Sequence, residues 1–311
     1  MNAFQIFWSE PFNKGKKEIN FKDYYLLTMI LSVIQWKKNH QHPIKLYTDE
    51  KVIRYLKKYD LLDLWDDYDT DTFKKINKNI DLNCFWSVGK FYAYLNEKAP
   101  CIAIDVDMIL WNNIDYFIDN IKVGFSHWED TKKSSYYVEM KDLSTPPNYI
   151  FNNKWNWNNY AANTSIVYFA DDEIKNYYAN EVIKFIINNK INPKENYEKE
   201  LLFIEQRLLV MLAEEKGLIN ETKPLIDLIW HPEEGEFYDS DGKKCKWDFS
   251  NIDNNDIATH LWVEKRWIEA DKNRREICCK RLMKLIAEID INIVKKLEKI
   301  KCVNKYSLEY I

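Results

Sequence analysis

Two aspartates one residue apart, Asp105 and Asp107, stand between two apolar stretches in the segment APCIAIDVDMILW, residues 99–111. Alternate residues of an extended chain point to the same side, so the two carboxylates would repel each other unless a cation lies between them. Hard oxygen ligands suit Mg²⁺ or Mn²⁺, which keep coordination positions open for water and phosphate oxygens. The spacing therefore predicts a divalent-metal site, and the alternative is a capping pair at a strand-to-helix turn.

Strand-like and helix-like segments alternate along the chain, and this alternation predicts the frame that positions the aspartates. Apolar runs predict strands at 3–8, 44–49, 100–105, 122–128, 163–170 and 256–262. Helical apolar spacing predicts helices at 21–39, 50–61, 84–96, 172–189 and 199–216. This order is typical of an α/β fold with a mostly parallel sheet and helices on both faces. Ligands of such sheets bind where the strands end, and Asp105 and Asp107 fall at such an end.

Composition and cysteine spacing limit the class of protein. The 311 residues are 46% hydrophobic and 15% aromatic, which is enough for a sizeable core. The six cysteines show no C-x-x-C spacing, which argues against a zinc ribbon and a disulfide scaffold and favours a reducing compartment. The start of the chain lacks a basic segment followed by an apolar one, and the apolar stretch 24–36 is too short for a membrane span. We therefore expect a cytoplasmic protein.

Charge is distributed unevenly along the chain. From Lys265 to Lys305 there are 13 Lys or Arg against six Asp or Glu, so this segment carries +7 and the rest of the chain carries −11 of the net −4. We expect one large domain at 1–265 and a basic amphipathic helical extension at 266–311. The extension either packs its apolar face on the body or makes peripheral contact with an anionic membrane. The acidic body disfavours nucleic acid as a partner.

A family resemblance adds to this interpretation. A helix with a basic residue, an apolar strand and Asp-x-Asp, as in FWSVGKFYAYLNEKAPCIAIDVDMILW at 85–111, resembles the nucleotide-sugar site of GT-A fold glycosyltransferases, particularly families 8 and 32. The resemblance spans roughly 3–267. It implies a hexosyltransferase with a GT-A fold that uses a nucleotide sugar, with a UDP-sugar favoured, and Mn²⁺ or Mg²⁺ on Asp105 and Asp107. It also places Lys90 beside the donor diphosphate.

Two later segments follow in the order that the family shows. NTSIVYFA resembles an Asn-x-Gly strand near the acceptor, with Asn163 matching and Ser165 where glycine is usual. ELLFIEQRLLVMLAEEKG resembles a helix that opens with Asp-Gln, here Glu205 and Gln206. The resemblance implies that these two polar side chains reach the donor sugar and the reacting carbon.

The last matching segment is THLWVEKRW, residues 259–267. It resembles the pattern His-x-x-Gly-x-x-Lys-Pro-Trp but lacks its Gly and Pro, and Lys265 stands one residue nearer to the histidine. The resemblance implies that His260 is the third metal ligand and that Lys265 is a second phosphate contact. At the other end of the chain, Trp8 and Ser9 follow the first strand and Asp49 follows the second, where the family contacts the base and ribose.

The chemistry of transfer depends on the stereochemical outcome. A retaining reaction, which the resembling families perform, needs no strong base and would set Gln206 against the sugar face. An inverting reaction needs a carboxylate base, for which Glu205 or an acid of residues 126–160 would serve. Residues 126–160 are rich in aromatic side chains and form either an acceptor-binding loop or an insertion with its own small core. The acceptor expected is a surface glycan or a lipid-linked saccharide at the inner membrane face.

Two other function classes compete with glycosyl transfer. A phosphatase of the haloacid-dehalogenase type also uses Asp-x-Asp after a strand, but it carries this motif on the first strand, before any βα unit. The second is a GT-A-like carbohydrate-binding protein whose catalytic residues have decayed, which the incomplete segment 259–267 favours. Loss of metal binding would be its signature.

Overall fold

A computed structural model describes residues 1–13, 15–132, 134–191, 198–245, 252, 257–261 and 264–306. Contacts divide the chain into two compact units. The first unit comprises residues 1–2, 71–103 and 114–247, and the second comprises residues 3–70, 104–113 and 248–311. Both units are mixed α/β. The predicted domain boundary at residue 265 stays a prediction.

Fourteen strands lie in the described residues: β1 Asn2–Phe7, β2 Ile44–Thr48, β3 Asp67–Asp69, β4 Cys101–Ile104, β5 Met108–Leu110, β6 Val123–Phe125, β7 Trp128–Glu129, β8 Ala161–Ala162, β9 Ile166–Phe169, β10 Thr222–Pro224, β11 Ile229–His231, β12 Glu236–Tyr238, β13 Lys244–Cys245 and β14 Ala258–His260. The α-helices of the same residues are α1 Glu10–Asn13, α2 Asp23–Asn39, α3 Glu50–Lys58, α4 Val88–Asn96, α5 Asp172–Ile186, α6 Glu198–Leu202, α7 Leu208–Glu215, α8 Glu264–Ala270, α9 Lys272–Ile289 and α10 Ile291–Leu297. A π-helical turn, Phe203–Arg207, joins α6 to α7. The ends of the predicted strand 256–262 lie outside the described residues.

Parallel strands form the main sheet of the second unit. β1 pairs in parallel with β2, Ala3 opposite Ile44, and β2 pairs in parallel with β3. The helix α2 is apolar around its whole circumference, and side chains from Asp23 to Trp36 are almost all buried. A helix with this pattern belongs in a core rather than on a surface.

The basic C-terminal helices pack within the second unit. Asp271 caps α9 by accepting hydrogen bonds from the backbone N–H groups of Asn273 and Arg274. Cys279, Leu282, Met283, Leu285 and Ile286 form the buried face of α9, which packs against α2. The apolar face predicted for this segment is therefore covered by protein. No described helix has both the length and the apolar composition needed to cross a membrane.

The first unit contains a mixed sheet and a smaller second one. β10 pairs in parallel with β6, whereas β6 and β9 are antiparallel. The smaller sheet has the strand order β13-β12-β11-β7-β8. The prediction of an α/β fold with mostly parallel main strands is confirmed, since β1–β2, β2–β3 and β6–β10 are all parallel pairs. The antiparallel pair β6–β9 was not predicted.

Candidate functional site

The two aspartates of the Asp-x-Asp segment lie in a tight turn between β4 and β5. The N–H of Met108 donates to the carbonyl of Asp105 at 3.0 Å, which closes the turn. Asp105 is half-buried and Asp107 is only 6% exposed. The chain thus returns directly into a second strand, and the alternative of a capping pair at a helix start does not describe this turn.

Buried side chains from the body of the second unit hold the start of β5. The hydroxyl of Ser32 on α2 donates to the carbonyl of Met108 and accepts a hydrogen bond from Gln5 Nε2 at 2.8 Å. Gln5 Oε1 in turn accepts from Trp65 Nε1 at 2.9 Å. A buried polar chain with every member bonded is rigid. It fixes the backbone that follows Asp107.

Strand pairing brings His260 to the aspartates. β5 and β14 are antiparallel with His260 opposite Met108, and the N–H of Leu261 donates to the carbonyl of Asp107 at 3.1 Å. His260 is 7% exposed, and its Nε2 lies 3.7 Å from Asp107 Oδ2. One ligand atom each from Asp105, Asp107 and His260 lies within 4.8 Å of the others, and no other such group of three occurs in the described part of the chain.

The donor set of this cluster fits a divalent cation. Two carboxylates and one imidazole are ligands that Mn²⁺ and Mg²⁺ accept, with the carboxylates dominating. The ammonium of Lys265 contacts Asp107 Oδ2, and it also lies 5.4 Å from the ring centre of Tyr25. A cation bound through that oxygen would therefore displace Lys265. The sequence predicted the aspartate pair from its spacing, and the resemblance added His260 and Lys265; the structure brings all four together.

The residues predicted to contact the base and ribose have structural bonds of their own. Asp49 caps α3, because its Oδ1 accepts from the N–H groups of Lys51 and Val52. Its Oδ2 accepts from the N–H of Ser9 at 2.8 Å. Ser9 is buried and the neighbouring Trp8 is half-buried. These bonds account for Asp49 without a ligand, and the nucleotide contacts of all three residues stay predictions.

Lys90 and Glu205 form a close pair in the first unit. Lys90 Nζ lies 3.4 Å from Glu205 Oε2, and both side chains are nearly buried. The other carboxylate oxygen, Glu205 Oε1, is buried and has no hydrogen-bond partner among the residues that the structure describes. A buried ammonium beside a buried carboxylate compensates both charges. The resemblance implies separate roles for these two residues, and nothing in the sequence indicates that they form a pair.

Glu205 and Gln206 occupy the π-helical turn Phe203–Arg207. The N–H of Leu208 reaches back five residues to the carbonyl of Phe203, so the turn is wider than an α-helical one. The hydroxyl of Tyr178 donates to the carbonyls of Ile204 and Glu205, at 2.9 and 2.7 Å. Single π turns are frequent at functional sites, and this one sits on the segment that the resemblance singles out.

Both polar atoms of the buried Asn163 side chain are hydrogen-bonded to other buried residues. Its Nδ2 donates to Glu129 Oε1 at 2.8 Å, and its Oδ1 accepts from the hydroxyl and the N–H of Ser165. Ser165 therefore makes a bond that the glycine usual in the resembling families could not make through a side chain. The predicted place of Asn163 near the acceptor stays a prediction.

The aromatic segment 126–160 has a packed core of its own. Trp155 is buried and donates to Glu215 Oε2 at 2.8 Å, and the ring of Trp157 stacks on Phe203. Arg207 lies over the ring of Trp157. This packing favours the interpretation of residues 126–160 as an insertion with its own small core over their interpretation as an acceptor-binding loop. Tyr136 and Tyr160 remain exposed in this segment.

Sequence reasoning missed the residues that support the candidate side chains, above all Glu129, Tyr137 and Tyr178. A signal for Glu129 exists in the sequence, because HWED at 127–130 continues the predicted strand 122–128 and an extended chain there puts an acid on the same face as His127. Tyr137 and Tyr178 carry no local signal. Their roles arise from contacts between segments far apart in the sequence.

Three solved glycosyltransferase structures are similar to the chain at low sequence identity. PaToxG glycosyltransferase has a TM-score of 0.34 and 11% identity, with 70% of this chain and 72% of that chain covered. Mouse xyloside xylosyltransferase 1, in its apo form, has a TM-score of 0.37 and 8% identity, with 73% and 84% covered. Galactosyltransferase LgtC, in complex with donor and acceptor sugar analogs, has a TM-score of 0.37 and 10% identity, with 66% and 71% covered. These TM-scores lie below 0.5, so the likenesses carry no weight for fold or function.

Comparison with curated proteins finds no match to the chain. A family model described as a family of unknown function, DUF6734, matches residues 1–289. This match covers nearly the whole sequence. The chain therefore belongs to the family of unknown function DUF6734.

Proposed function

We propose that the chain is a metal-dependent glycosyltransferase with a GT-A fold, which moves a sugar from a nucleoside diphosphate donor to a saccharide or lipid-linked saccharide. The observation that carries this proposal is the cluster of Asp105, Asp107 and His260 in the second unit. The favoured donor is a UDP-sugar, as in the resembling families 8 and 32. We place the reaction in the cytoplasm.

The cluster supplies what a diphosphate leaving group needs. A divalent cation held there, Mn²⁺ or Mg²⁺, would stabilise the charge that develops on the leaving diphosphate. Asp105 and Asp107 provide the negative charge that selects a cation over a neutral ligand, and His260 adds a neutral nitrogen. Lys265, once it leaves Asp107, provides a mobile positive charge for a phosphate oxygen.

Polar residues outside the cluster carry the proposed sugar chemistry. Lys90 adds positive charge for the donor, and Asn163 lies on the strand near the acceptor. Gln206 lies against the sugar face in a retaining reaction, which we favour because Glu205 is paired with Lys90 rather than open to act as a base. In an inverting reaction Glu205 would have to break its ion pair with Lys90 and then accept the proton of the acceptor hydroxyl.

One observation favours a second candidate, a carbohydrate-binding protein without turnover. The Lys265 ammonium already compensates the charge of Asp107, so the turn needs no metal ion for its stability. In such a protein the cluster would be a structural ion pair, and added metal would change neither stability nor ligand binding.

We further propose peripheral contact between α8–α9 and an anionic membrane. Trp267 is 57% exposed and Ile277 is 69% exposed, and Arg266, Lys272 and Arg274 are exposed on the same two helices. Exposed aromatic and aliphatic side chains among basic residues suit the headgroup region of an anionic lipid surface. Co-sedimentation with vesicles that contain phosphatidylserine, but not with phosphatidylcholine alone, is expected, and the double variant Trp267→Ser and Ile277→Ser should lose it.

Turnover of nucleotide sugars tests the proposed function. Release of nucleoside diphosphate is measured from uridine, guanosine and cytidine sugar donors, with and without Mn²⁺ and with simple saccharides as acceptors. We expect Mn²⁺-dependent release that Asp107→Asn abolishes and that Asp63→Asn, which changes an exposed aspartate of the same unit, leaves unchanged. Saccharide or nucleotide binding without turnover would favour the second candidate, and release of inorganic phosphate from sugar phosphates would favour a phosphatase.

A further inference from the structure

A buried tyrosine contacts the side chain of Gln206. The hydroxyl of Tyr137 donates to Gln206 Oε1, and the charge of the Glu129 carboxylate acts on the same hydroxyl. Tyr137 is buried and Glu129 is 2% exposed, whereas Gln206 is half-buried. The tyrosine therefore ties the half-buried Gln206 side chain to the buried interior.

The carboxylate of Glu129 is held firmly by its neighbours. Glu129 Oε1 accepts from Asn163 Nδ2 at 2.8 Å and lies 3.5 Å from His127 Nε2. The orientation of the Asn163 amide is itself set, because its oxygen accepts two bonds from Ser165. A carboxylate with these neighbours has little freedom to swing. It is a fixed negative charge that acts on the Tyr137 hydroxyl.

The backbone beside Tyr137 is tied to the same π-helical turn as Gln206. Arg207 Nη1 donates to the carbonyl of Val138 at 2.6 Å, and Arg207 Nη2 donates to the carbonyl of Trp157 at 2.5 Å. Two consecutive residues of the turn, Gln206 and Arg207, thus bond to two consecutive residues of the segment 137–138. The segment that carries Tyr137 is therefore bonded directly to the turn.

The hydroxyl proton of Tyr137 is donated to the amide oxygen of Gln206. This bond fixes the plane of the amide. Burial first, and then the Glu129 carboxylate, raise the pKa of Tyr137 well above its usual value, so the hydroxyl keeps its proton near neutral pH. Without this bond a glutamine side chain samples several rotamers.

We propose that Tyr137 is a positioning residue that fixes the side chain of Gln206. The geometry of the contact stands alone, but its consequence for catalysis rests on the proposed function, in which Gln206 works against the donor sugar. A positioning residue acts on the rate of the chemical step more than on donor affinity, because misplacement of a reacting group by a small distance lowers turnover strongly.

The test is Tyr137→Phe, which removes the hydroxyl and keeps the ring. Tyr149→Phe is the matched control, because the Tyr149 hydroxyl also donates to a side-chain oxygen, Glu181 Oε1 at 2.8 Å, rather than to Gln206. We expect similar losses of thermal stability in both variants. Only Tyr137→Phe should lower kcat, by ~10-fold for one lost hydrogen bond, with the donor KM within about 2-fold. A crystal structure of Tyr137→Phe should show the Gln206 side chain displaced or disordered.

Gln206 in an unchanged position in that crystal structure would overturn the proposal, and so would equal kcat values for the two variants. The structural readout needs no turnover. If the wild-type chain turns over no nucleotide sugar, the proposed function fails while the position of Gln206 still decides this inference. A crystal structure of the wild-type chain serves as a second measurement should Tyr137→Phe not fold, and Gln206 Oε1 beyond hydrogen-bond reach of the Tyr137 hydroxyl would overturn the proposal.

Discussion

The ammonium of Lys265 lies against Asp107 Oδ2, the same carboxylate oxygen that faces Nε2 of His260. Asp107 is almost buried, and an uncompensated carboxylate at such a place is costly. Lys265 therefore acts as an internal counter-ion for the turn that carries the two aspartates. A metal ion bound at the cluster of Asp105, Asp107 and His260 would compete with this ammonium for one oxygen atom.

Removal of the Lys265 charge should change metal binding and nucleotide binding in opposite directions. We expect Lys265→Met to raise Mn²⁺ affinity by ~10-fold in the absence of nucleotide, because one charged hydrogen bond no longer competes. The same change should weaken binding of uridine diphosphate, which loses a positive partner. Isothermal titration calorimetry measures both. Lys22→Met, which removes an exposed lysine paired with Glu269, is the control, and unchanged Mn²⁺ affinity in Lys265→Met would contradict the competition.

The hydroxyl of Ser32 should stabilise the cluster of Asp105, Asp107 and His260 through its bond to the backbone of β5. Ser32→Ala leaves the Met108 carbonyl and Gln5 without their shared partner, so we expect ~1–2 kcal/mol less free energy of unfolding and weaker Mn²⁺ binding. Thr28→Ala is a matched control, since the Thr28 hydroxyl is buried on the same helix but bonds only the carbonyl of Tyr24. Equal Mn²⁺ affinity in both variants would show that β5 needs no support from Ser32.

Asp23 should make stability depend on acid pH. Burial alone would raise the pKa of Asp23, but bonds from Arg275 and Tyr306, with the Tyr24 N–H and Lys305, outweigh it and hold the pKa below its ordinary value of 3.8. A lowered pKa in the folded state gives stability that is present above pH ~4 and is lost as pH falls through the folded pKa. Urea unfolding across pH 3 to 7 should therefore show a steeper decline at acid pH in the wild type than in Asp23→Asn.

Asp23→Asn should also lower the free energy of unfolding near neutral pH. Arg275 binds Asp23 Oδ1 at 2.6 Å, so removal of the carboxylate charge leaves a partly buried guanidinium without its partner. We expect a loss of ~3 kcal/mol, the lower end of the range for breaking a buried ion pair. Asp63→Asn is the control. A loss below ~1 kcal/mol would mean that the C-terminal helices do not depend on Asp23.

The π-helical turn should depend on the Tyr178 hydroxyl. Tyr178→Phe leaves the carbonyls of Ile204 and Glu205 without their buried donor, so the turn should tighten toward an α-helix or open. We expect ~1–3 kcal/mol less free energy of unfolding and faster amide exchange at 204–208. Tyr177→Phe, whose hydroxyl bonds Glu215 at the helix surface, should leave this exchange unchanged. Normal protection in Tyr178→Phe would show that the turn is intrinsic to its sequence.

The sequence was most informative where the chemistry is local. Asp105 and Asp107 were predicted as a pair because two carboxylates at alternate positions of an extended chain repel each other unless a cation lies between them, and that argument needs no tertiary contact. The helix α2 and the strands β1 and β2 were predicted within two residues because their apolar patterns are long. His260 is different, since it reaches Asp107 only because β14 pairs with β5, and local periodicity contains no information on such a pairing.

Residues that act through tertiary contacts could not be predicted in this way. FIEQR at 203–207 reads as ordinary helix, and its π turn is stabilised by Tyr178 from another helix. Tyr137 lies in a segment without regular periodicity, so nothing local marks its bond to Gln206. The strands β7, β8 and β13 have two residues each, which is shorter than any window in which a period can be read.

Calorimetric titration of uridine diphosphate, with and without Mn²⁺, tests the central claim most directly, because it asks whether the cluster of Asp105, Asp107 and His260 is a metal-dependent nucleotide site. The wild type and Asp63→Asn should bind uridine diphosphate with Mn²⁺ and bind it at least ~10-fold more weakly without it. Asp107→Asn should show only the weak, metal-independent binding. Equal binding in all three proteins, or no binding of uridine, guanosine or cytidine diphosphate under either condition, would contradict the account.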